Sequence, residues 1–344
     1  MDLHRLELLL HLSRLGSMRE VAEVSGIGTS AVSQQLAALS REVATPLLEP
    51  VGRRVRLTPA GQRLAAHAVR ILAAVEAARA DLDPNAEPSG AVRVAAFATA
   101  TRGDLLPVAR ELAARHPAVH LRIHEHEPFE AMDLLAADNV DLALTYDYNL
   151  APATFDESVE VRPLWQRGWA LACPSARAPG PPAGQAPGWP GGQAPGCSAG
   201  QPPGAAGPAV VASAPEVLAR FRDDDWIVNS RNTADEEVVR TVASMGGFVP
   251  RVTHRVDNLE LVQDLIAAGL GVGLLPVDQP TVPGVALCPL RDPGVLLRAY
   301  AVTRRGRAEW PPLALVLDLV GGRPVSARVS AAGSGTAPRP PRRG

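Results

Sequence analysis

Apolar residues at helical spacing mark the first 82 residues of the chain. Leu3, Leu6, Leu9 and Leu10 form one stripe, which Gly16 closes. Two further stripes follow: Val32, Leu36, Leu39 and Val43 in one, and Leu64, Ala68, Ile71, Leu72 and Val75 after Pro59 in the other. We therefore predict three amphipathic helices here, the last running from residue 59 to about residue 82.

After residue 90 the pattern changes to strands that alternate with helices. The predicted strands cover 91–97, 119–127, 141–146, 164–173, 226–229, 251–256, 271–276, 284–289 and 296–303. The predicted helices cover 104–115, 129–137, 234–245, 258–268 and 311–320. This order predicts an α/β fold, with a mostly parallel sheet and helices on its faces.

Three segments have the composition of connections rather than of packed elements. Residues 83–90 (DPNAEPSG) predict a hinge, and residues 176–214, dominated by Pro, Gly, Ala and Gln, predict a disordered insertion. Residues 321–344 contain five Arg and no acid, and they predict a flexible basic tail.

The stretch from residue 17 to residue 43 has the pattern of a helix-turn-helix. Ser17 and Glu20 have capping-box spacing and start a short predicted helix through Val24; SGIG at 25–28 predicts a tight turn, and a second helix follows. The outer face of that helix carries small or neutral polar residues: Thr29, Ser30, Ser33, Gln34 and Ala37. Such a face suits a major groove, where Gln pairs with adenine and Ala contacts a thymine methyl. A helical hairpin inside a core is the alternative that we considered.

Two short extended pieces flank Gly52 and predict a wing after the helix-turn-helix. Arg53, Arg54 and Arg56 lie on it and are candidates for contacts with backbone phosphates. Over residues 1–66 there are eight Arg against six Asp and Glu, so the positive charge is modest for a DNA-binding region.

These motifs in this order resemble the N-terminal domain of LysR-type transcriptional regulators. The resemblance rests on SMREVAEVSGIGTSAVSQQLAALSREVATPLLEP and on GRRVRLTPAG, about 65 residues without a gap. Gln34 and Ala37 stand where the family usually has Arg or Lys, and Ser40 replaces a common Glu. The recognition helix is therefore less basic than usual, and phosphate anchoring must depend on the wing.

The resemblance implies a winged helix-turn-helix followed by two Rossmann-like α/β subdomains, similar to type 2 periplasmic binding proteins, with an effector held between them. GLGVGLLP at 269–276 resembles a helix-to-strand signature of the second subdomain. The implied domains are 1–58 for DNA binding, 59–82 for a linker helix, 83–90 for the hinge, 91–163 plus 290–320 for subdomain 1, and 164–289 for subdomain 2. The linker helix would dimerise through Leu64, Ala68, Ile71, Leu72 and Val75, giving a homodimer or a homotetramer.

Ligands in such folds meet the loops after the strands and the helix N-termini that follow. The candidate effector residues are Thr99, Thr101 and Arg102 after the first strand, Asp147 and Tyr148 after the third, Ser230, Arg231, Asn232 and Thr233 after strand 226–229, and Asp257 and Asn258 before the helix at 258. Helix N-termini and Arg favour anions, so we expect a small carboxylate-bearing effector. Thr233 and Asn258 have an alternative role as helix caps, and the two arginines as solvated side chains.

Composition narrows the remaining function classes. The net charge is −2, and all 34 basic residues are Arg, which we attribute to GC-rich coding rather than to nucleic-acid binding. Three scattered cysteines predict neither a disulfide framework nor a zinc site, and Cys173 and Cys288 lie in apolar strands, as buried thiols do. His120, His124 and His126 share one strand face, for which we favour exposure to solvent over a metal site.

The sequence contains no apolar run that could span a membrane and no recognisable secretion signal, so we expect a cytoplasmic location. No nucleophile–base pair, nucleotide-binding glycine motif or metal-ligand spacing predicts an enzyme or a cofactor. The expected function is a sequence-specific DNA-binding regulator controlled by a small effector. The alternative is a ligand-binding module on the same fold with weak or lost specific DNA binding.

Overall fold

The computed structural model of the protein describes residues 1–52, 54–83, 87–178, 212–231 and 234–322, with the side chains of Arg54 and Ala80 outside the description. The predicted insertion and tail lie mostly outside these ranges. Their described ends are ordered, because a 3₁₀ turn spans Ser175–Arg177, helix α8 starts at Ala214, and the last helix ends at Gly321. The prediction of disorder was therefore wrong at these ends.

The N-terminal region forms the predicted helices and wing. Its elements are α1 (Leu3–Leu15), α2 (Met18–Ser25), α3 (Thr29–Glu42), β1 (Leu48–Val51), β2 (Arg54–Leu57) and α4 (Pro59–Leu82). Gly16 and Gly26 adopt the left-handed conformation that ends α1 and α2. Leu6, Leu9 and Leu36 are fully buried in one core, which also receives Ala68 from α4. The three apolar stripes are thus what holds these helices together.

The α/β region continues from β3 to α11. Its strands are β3 (Gly90–Ala96), β4 (Val119–Glu125), β5 (Leu142–Tyr148), β6 (Val159–Pro174), β7 (Asp225–Val228), β8 (Arg251–Arg255), β9 (Val272–Pro276), β10 (Val285–Pro289) and β11 (Val295–Arg304). Its helices are α5 (Ala98–Ala100), α6 (Leu106–Arg115), α7 (Pro128–Ala136), α8 (Ala214–Ala219), α9 (Ala234–Met245), α10 (Leu259–Ala267) and α11 (Pro311–Gly321), with a π-helical turn at Thr101–Leu105.

The described chain divides into two compact units. The first contains 1–146, 153–165 and the described part of 298–344, and the second contains 147–152 and the described part of 166–297. In the first unit the strand order is β4-β3-β5-β11-β6, with β3 parallel to both β4 and β5. In the second unit the order is β6-β9-β7-β8, with β10 antiparallel to β6. The mixed but largely parallel sheet agrees with the predicted α/β class.

Two element boundaries differ from the sequence prediction in ways that affect candidate residues. Helix begins directly after β3, at Ala98, rather than near residue 104, and the amide of Thr101 bonds to the carbonyl of Phe97 at 2.9 Å. Strand β5 continues through Asp147 and Tyr148, which were predicted to lie in a loop. Tyr148 extends the strand because it packs against Trp169 and bridges to Ala151.

Smaller differences between the predicted and observed elements concern β6 and α8. Strand β6 begins at Val159 rather than at residue 164, and α8 was not predicted because it follows the Pro/Gly-rich segment. Across the part of the chain that the structure describes, no helix is long and apolar enough to cross a membrane.

Candidate functional site

Helix α3 presents the predicted recognition face to solvent. Val32, Leu36 and Leu39 are fully buried and fix the rotation of the helix on its core. The opposite face is exposed at every candidate position: Thr29, Ser30, Ser33, Gln34 and Ala37. The prediction that these five side chains share an exposed face is confirmed, and their donors and acceptors point away from the domain core.

Neighbouring polar residues of α3 serve the domain itself. Gln35 accepts a hydrogen bond from Arg5 of α1 at 2.9 Å. Ser40 donates to the carbonyl of Leu36 at 3.1 Å and accepts from the amide of Leu47 at 3.4 Å, which ties the end of α3 to the start of the wing. Ser40 therefore has a structural contact in this domain.

The wing is a two-stranded hairpin that turns at Gly52, which has a φ of +60°. Arg56 is exposed and lies opposite Glu49, with its Nη2 atom 2.5 Å from Glu49 Oε1. Arg53 lies outside the described residues, as does the side chain of Arg54. Arg56 is therefore the wing arginine whose side chain the structure describes, and it is paired with a carboxylate of its own chain.

The TPAG motif connects the wing to α4 by close backbone contact. Thr58 caps α4 by accepting from the amide of Gly61 at 3.0 Å, and its hydroxyl donates to the carbonyl of Pro46 at 2.8 Å. A Cβ at Gly61 would collide with the carbonyl oxygen of Leu47. Glycine is needed at this position because the helix backbone packs directly on the chain before the wing.

The predicted dimerisation stripe of α4 is partly used inside the chain. Ala68 is fully buried in the core of the N-terminal region, and Leu64 and Ile71 pack against that core. Leu72 lines a cavity with residues of α1, and Val75 is half-buried. Three of the five residues therefore already have packing partners in their own chain.

In the first unit the candidate effector residues lie on the helical segment after β3. Thr99 is half-buried, Arg102 is exposed, and the Thr101 hydroxyl is buried without a hydrogen-bond partner among the described atoms. Thr101 and Arg102 belong to the π-helical turn, a geometry that is frequent at functional sites. They do not lie in a loop, contrary to the prediction.

Aromatic and acidic side chains that the sequence did not single out surround this turn. Phe97 contacts the rings of Tyr146 and Trp165, with centroids 4.8 and 6.2 Å apart. The Trp165 indole donates to buried Asp104 at 2.9 Å, and the Tyr146 hydroxyl donates to buried Glu127 at 2.9 Å. The available signal was an aromatic residue near the carboxyl end of two strands, Phe97 after β3 and Tyr146 in β5, whereas Trp165 lies within β6.

In the second unit three candidate residues form one polar cluster. Asp257 accepts hydrogen bonds from the amide and hydroxyl of Ser230, both at 2.7 Å, and pairs with Arg231 Nε at 2.8 Å. Burial alone would raise the pKa of Asp257, but the hydrogen bonds from Ser230 and Arg231 outweigh it and lower that pKa. Asn258 caps α10 by accepting from the amide of Leu261 at 2.9 Å, as its alternative role predicted.

The remaining candidates of the second unit differ in burial. Asp147 and Tyr148 are buried on β5, and the Tyr148 ring lies 5.6 Å from that of Trp169. Asn232 and Thr233 lie outside the described residues. Asp235, which the sequence did not single out, has a buried carboxyl atom without a hydrogen-bond partner among the described atoms, and burial raises its pKa to about 6.

Histidine and cysteine side chains occupy the places that the sequence predicted. His120 and His124 are exposed on β4, and His126 is half-buried. Among the described residues no group of three potential ligands could hold a metal ion. Cys173 and Cys288 are buried free thiols on neighbouring strands with Sγ atoms 3.6 Å apart, and Cys197 lies outside the description.

Comparison with known proteins finds two family models that match this chain. The model of bacterial regulatory helix-turn-helix proteins of the lysR family matches residues 3–62, and the model of the LysR substrate binding domain matches 85–185 and 205–323. Together they cover most of the chain and divide it near the end of α4.

Individual relatives agree with these matches. The transcriptional regulator CysB of Haemophilus influenzae is 27% identical over 177 residues, which are 51% of this chain and 54% of that protein. A probable hydrogen peroxide-inducible genes activator of Streptomyces viridosporus is 33% identical over 127 residues, 37% of this chain and 41% of that protein. The matches thus span about half of the length of these relatives or less.

A solved structure shows the same fold over almost the whole chain. Full-length OxyR from Pseudomonas aeruginosa superposes with a TM-score of 0.63 at 18% identity, covering 93% of this chain and 94% of that one.

Proposed function

This chain belongs to the LysR family of bacterial regulatory helix-turn-helix proteins, and we propose that it regulates transcription by binding promoter DNA under the control of a small effector. The observation that carries the proposal is the exposed face of α3. It consists only of small or hydrogen-bonding side chains on a helix whose opposite side is locked into a core. A helix of this kind can enter a major groove without distorting its own domain.

The proposed DNA contacts fall into two classes. Thr29, Ser30, Ser33, Gln34 and Ala37 contact base edges, with Gln34 suited to adenine and Ala37 to a thymine methyl. Arg53, Arg54 and Arg56 of the wing contact phosphates, which supplies affinity independent of sequence. Because the five candidate positions of the recognition face include no Arg or Lys, the wing carries most of the electrostatic attraction.

The proposed effector is a small carboxylate-bearing molecule that binds to the α/β region. Ser230 and Arg231 support this class, because in the second unit they already hold a carboxylate, that of Asp257. A ligand carboxylate would compete with Asp257 for the same donors. The buried hydroxyl of Thr101 and the side chains of Thr99 and Arg102 are the proposed contacts in the first unit, and Asp147, Tyr148, Asn232, Thr233 and Asn258 complete the proposed set.

The domain division predicted from the sequence is part of the proposal, as are assembly and location. Residues 1–58 bind DNA, 59–82 connect two copies into a homodimer, and effector domains pair again into a homotetramer. The effector shifts the population between two arrangements of the assembled chains and so changes how two helix-turn-helix domains meet two half-sites. A protein that acts on promoter DNA in this way works in the bacterial cytoplasm, and we propose no catalytic activity for it.

The test is binding of the purified protein to the DNA upstream of its own coding region and of the adjacent divergent gene, followed across a salt series. We expect a protected region that covers two half-sites, and affinity that falls as salt rises. The same assay then screens carboxylates for the effector. Weak, sequence-indifferent binding at moderate salt would contradict the proposal and favour a ligand-binding module that has lost specific DNA binding.

A further inference from the structure

A buried ion network in the first unit joins the DNA-binding region to the effector region of the same chain. Its effector-side members are Asp138 and Asp141, at the turn between α7 and β5, and three arginines that surround them. Its DNA-binding member is Arg14, in the last turn of α1. Arg14 Nε lies 2.6 Å from Asp138 Oδ2, which is a direct ion pair between the two regions.

Asp138 is built into the effector region independently of Arg14. It adopts a left-handed conformation with φ of +59°, which closes the turn after α7, and it is 4% exposed. Its other carboxyl oxygen lies 2.9 Å from Arg304 Nη1 on β11. The carboxylate is therefore held in place before α1 docks, and it offers its second oxygen to Arg14.

Packing around this link extends the contact to the linker helix. Leu10 and His11 of α1 and Leu72 of α4 line a cavity of about 210 Å³, together with Arg307 and Trp310 of the effector region. The Arg307 guanidinium stacks over the Trp310 ring at 4.1 Å and pairs with Asp141 at 2.9 Å. The effector region thus contacts both α1 and α4. Burial, together with the charge of Arg14, lowers the pKa of His11, so this histidine is neutral in the docked arrangement at neutral pH.

The docked arrangement leaves the recognition face uncovered. Arg14 contacts Asp138, and the candidate DNA contacts on α3 are all exposed. Docking is therefore compatible with DNA binding and fixes the direction in which α3 faces relative to the α/β part of the first unit. We propose that the Arg14–Asp138 contact is an intrachain docking surface that sets the spacing of the two recognition helices in the assembled protein, so that effector-dependent movement reaches the DNA.

This inference rests on the proposed function, because only a protein that reads two half-sites uses such spacing. If the contact has this role, loss of docking weakens binding to DNA with two half-sites but not binding to DNA with one, since a single recognition helix needs no fixed orientation. The mechanism is loss of preorganisation, because two unrestrained domains must be ordered when both half-sites are occupied.

The experiment uses the full-length chain with Arg14→Gln. The substitution removes the link but keeps both Asp138–Arg304 and Asp141–Arg93, and Arg14 Nη2 is buried without a partner among the described atoms, so little else is lost. Arg19→Gln is the matched control, since it removes the same charge from the same region. Arg19 is exposed and, in the described part of the chain, its ion pair is with Glu23 of its own helix. Affinity is measured for the DNA protected by the wild type and for a fragment with one half-site.

We expect Arg14→Gln to lose about tenfold in affinity for the two-half-site DNA beyond the loss in Arg19→Gln, and to equal that control on one half-site. It should also tolerate one or two inserted base pairs between the half-sites better than the wild type does. Equal losses on both DNAs, or none, would overturn the proposal.

Hydrogen exchange of α1 in the protein without DNA separates this inference from the proposed function. The last turn of α1 should exchange faster in Arg14→Gln and in Asp138→Asn than in Arg19→Gln; Asn is suited to the left-handed turn, so the second variant keeps the backbone of Asp138. Unchanged exchange in both variants would overturn the docking surface. Absence of specific DNA binding by the wild type, with exchange as expected, would instead contradict the regulatory function.

Discussion

Arg93 and Asp141 form a two-pronged ion pair, with Arg93 Nε 2.9 Å from Oδ2 and Nη2 2.9 Å from Oδ1 of the carboxylate. The backbone amide of Arg93 donates to the same carboxylate at 3.0 Å, and Arg307 approaches it from another side. Burial alone would raise the pKa of Asp141, but these hydrogen bonds and positive charges outweigh it and lower that pKa to about 2. The charged carboxylate is therefore part of the folded structure.

Substitution of Asp141 by Asn should destabilise the first unit by roughly 3–5 kcal/mol, because half-buried Arg93 and buried Arg307 lose their counter-charge. The pKa in the folded state lies below the ordinary 3.8, so the stabilisation is complete above about pH 5 and is lost as the pH falls toward 2. Urea unfolding at several pH values measures this. The gap between wild type and variant should be constant from pH 7 to 5 and should narrow below pH 4.

Asp133→Asn is the control for this prediction, because Asp133 is exposed on α7 in the same unit. Its unfolding free energy should stay within about 0.5 kcal/mol of the wild type. A gap for Asp141→Asn that is equally large at pH 3 and pH 7 would show that the lost packing, and not the lost charge, accounts for the effect.

Gln34 is the position on α3 where truncation of one side chain should change the preference for DNA sequence most. Gln34→Ala should cost about 1–3 kcal/mol in binding to the protected DNA and should relax the preference at one base pair, with little change in the salt dependence. Gln166→Ala removes an exposed glutamine from the other unit and serves as the control. An equal loss of affinity for all DNA sequences would mean that Gln34 contacts backbone phosphates rather than a base.

Arg56 and Glu49 give the wing a charge pair whose members should act in opposite directions. Arg56→Ala should weaken binding to every DNA sequence and reduce the slope of log affinity against log salt by about 1, because one phosphate contact is lost. Glu49→Ala releases Arg56 from the 2.5 Å pair and removes a negative charge near the phosphates, so it should strengthen binding. Weaker binding by Glu49→Ala would mean that the pair holds Arg56 in its binding position.

The sequence was sufficient where structure follows from local spacing. The exposed face of α3, the left-handed end of α1 at Gly16 and the turn at Gly52 depend on residues within a few positions of one another. The wing and the bounds of α4 follow in the same way, because Thr58 caps the helix with its own neighbours. Local chemistry therefore predicted the candidate DNA interface.

Positions that depend on distant partners were not accessible to this reasoning. The predicted strand ended at residue 146, which placed Tyr148 in the loop after it, yet the Tyr148 ring packs against Trp169 on another strand. Asp138 and Asp141 lie between α7 and β5 in a stretch with turn-like composition, and Arg14, the partner of Asp138, is more than a hundred residues away. The start of the helix after β3 and the end of β5 were predicted wrongly for this reason: strand ends are set by packing in three dimensions, while the sequence marks only polarity. The effector contacts themselves stay a prediction.

The stripe on α4 leads to two variants with different outcomes. Ala68 is fully buried in the core of its own chain, so Ala68→Glu should unfold the N-terminal region, seen as a loss of helical circular dichroism.

Val75 is half-buried at the far end of the predicted dimer face, so Val75→Glu should keep the helix but weaken dimerisation by about 3 kcal/mol, roughly a hundredfold. Analytical ultracentrifugation measures the dissociation constant, with Ala66→Glu, on the opposite, exposed side of α4, as the control. An unchanged dissociation constant for Val75→Glu would mean that the dimer interface lies elsewhere. The stripe residues that pack on the core of their own chain cannot contact a second chain at the same time.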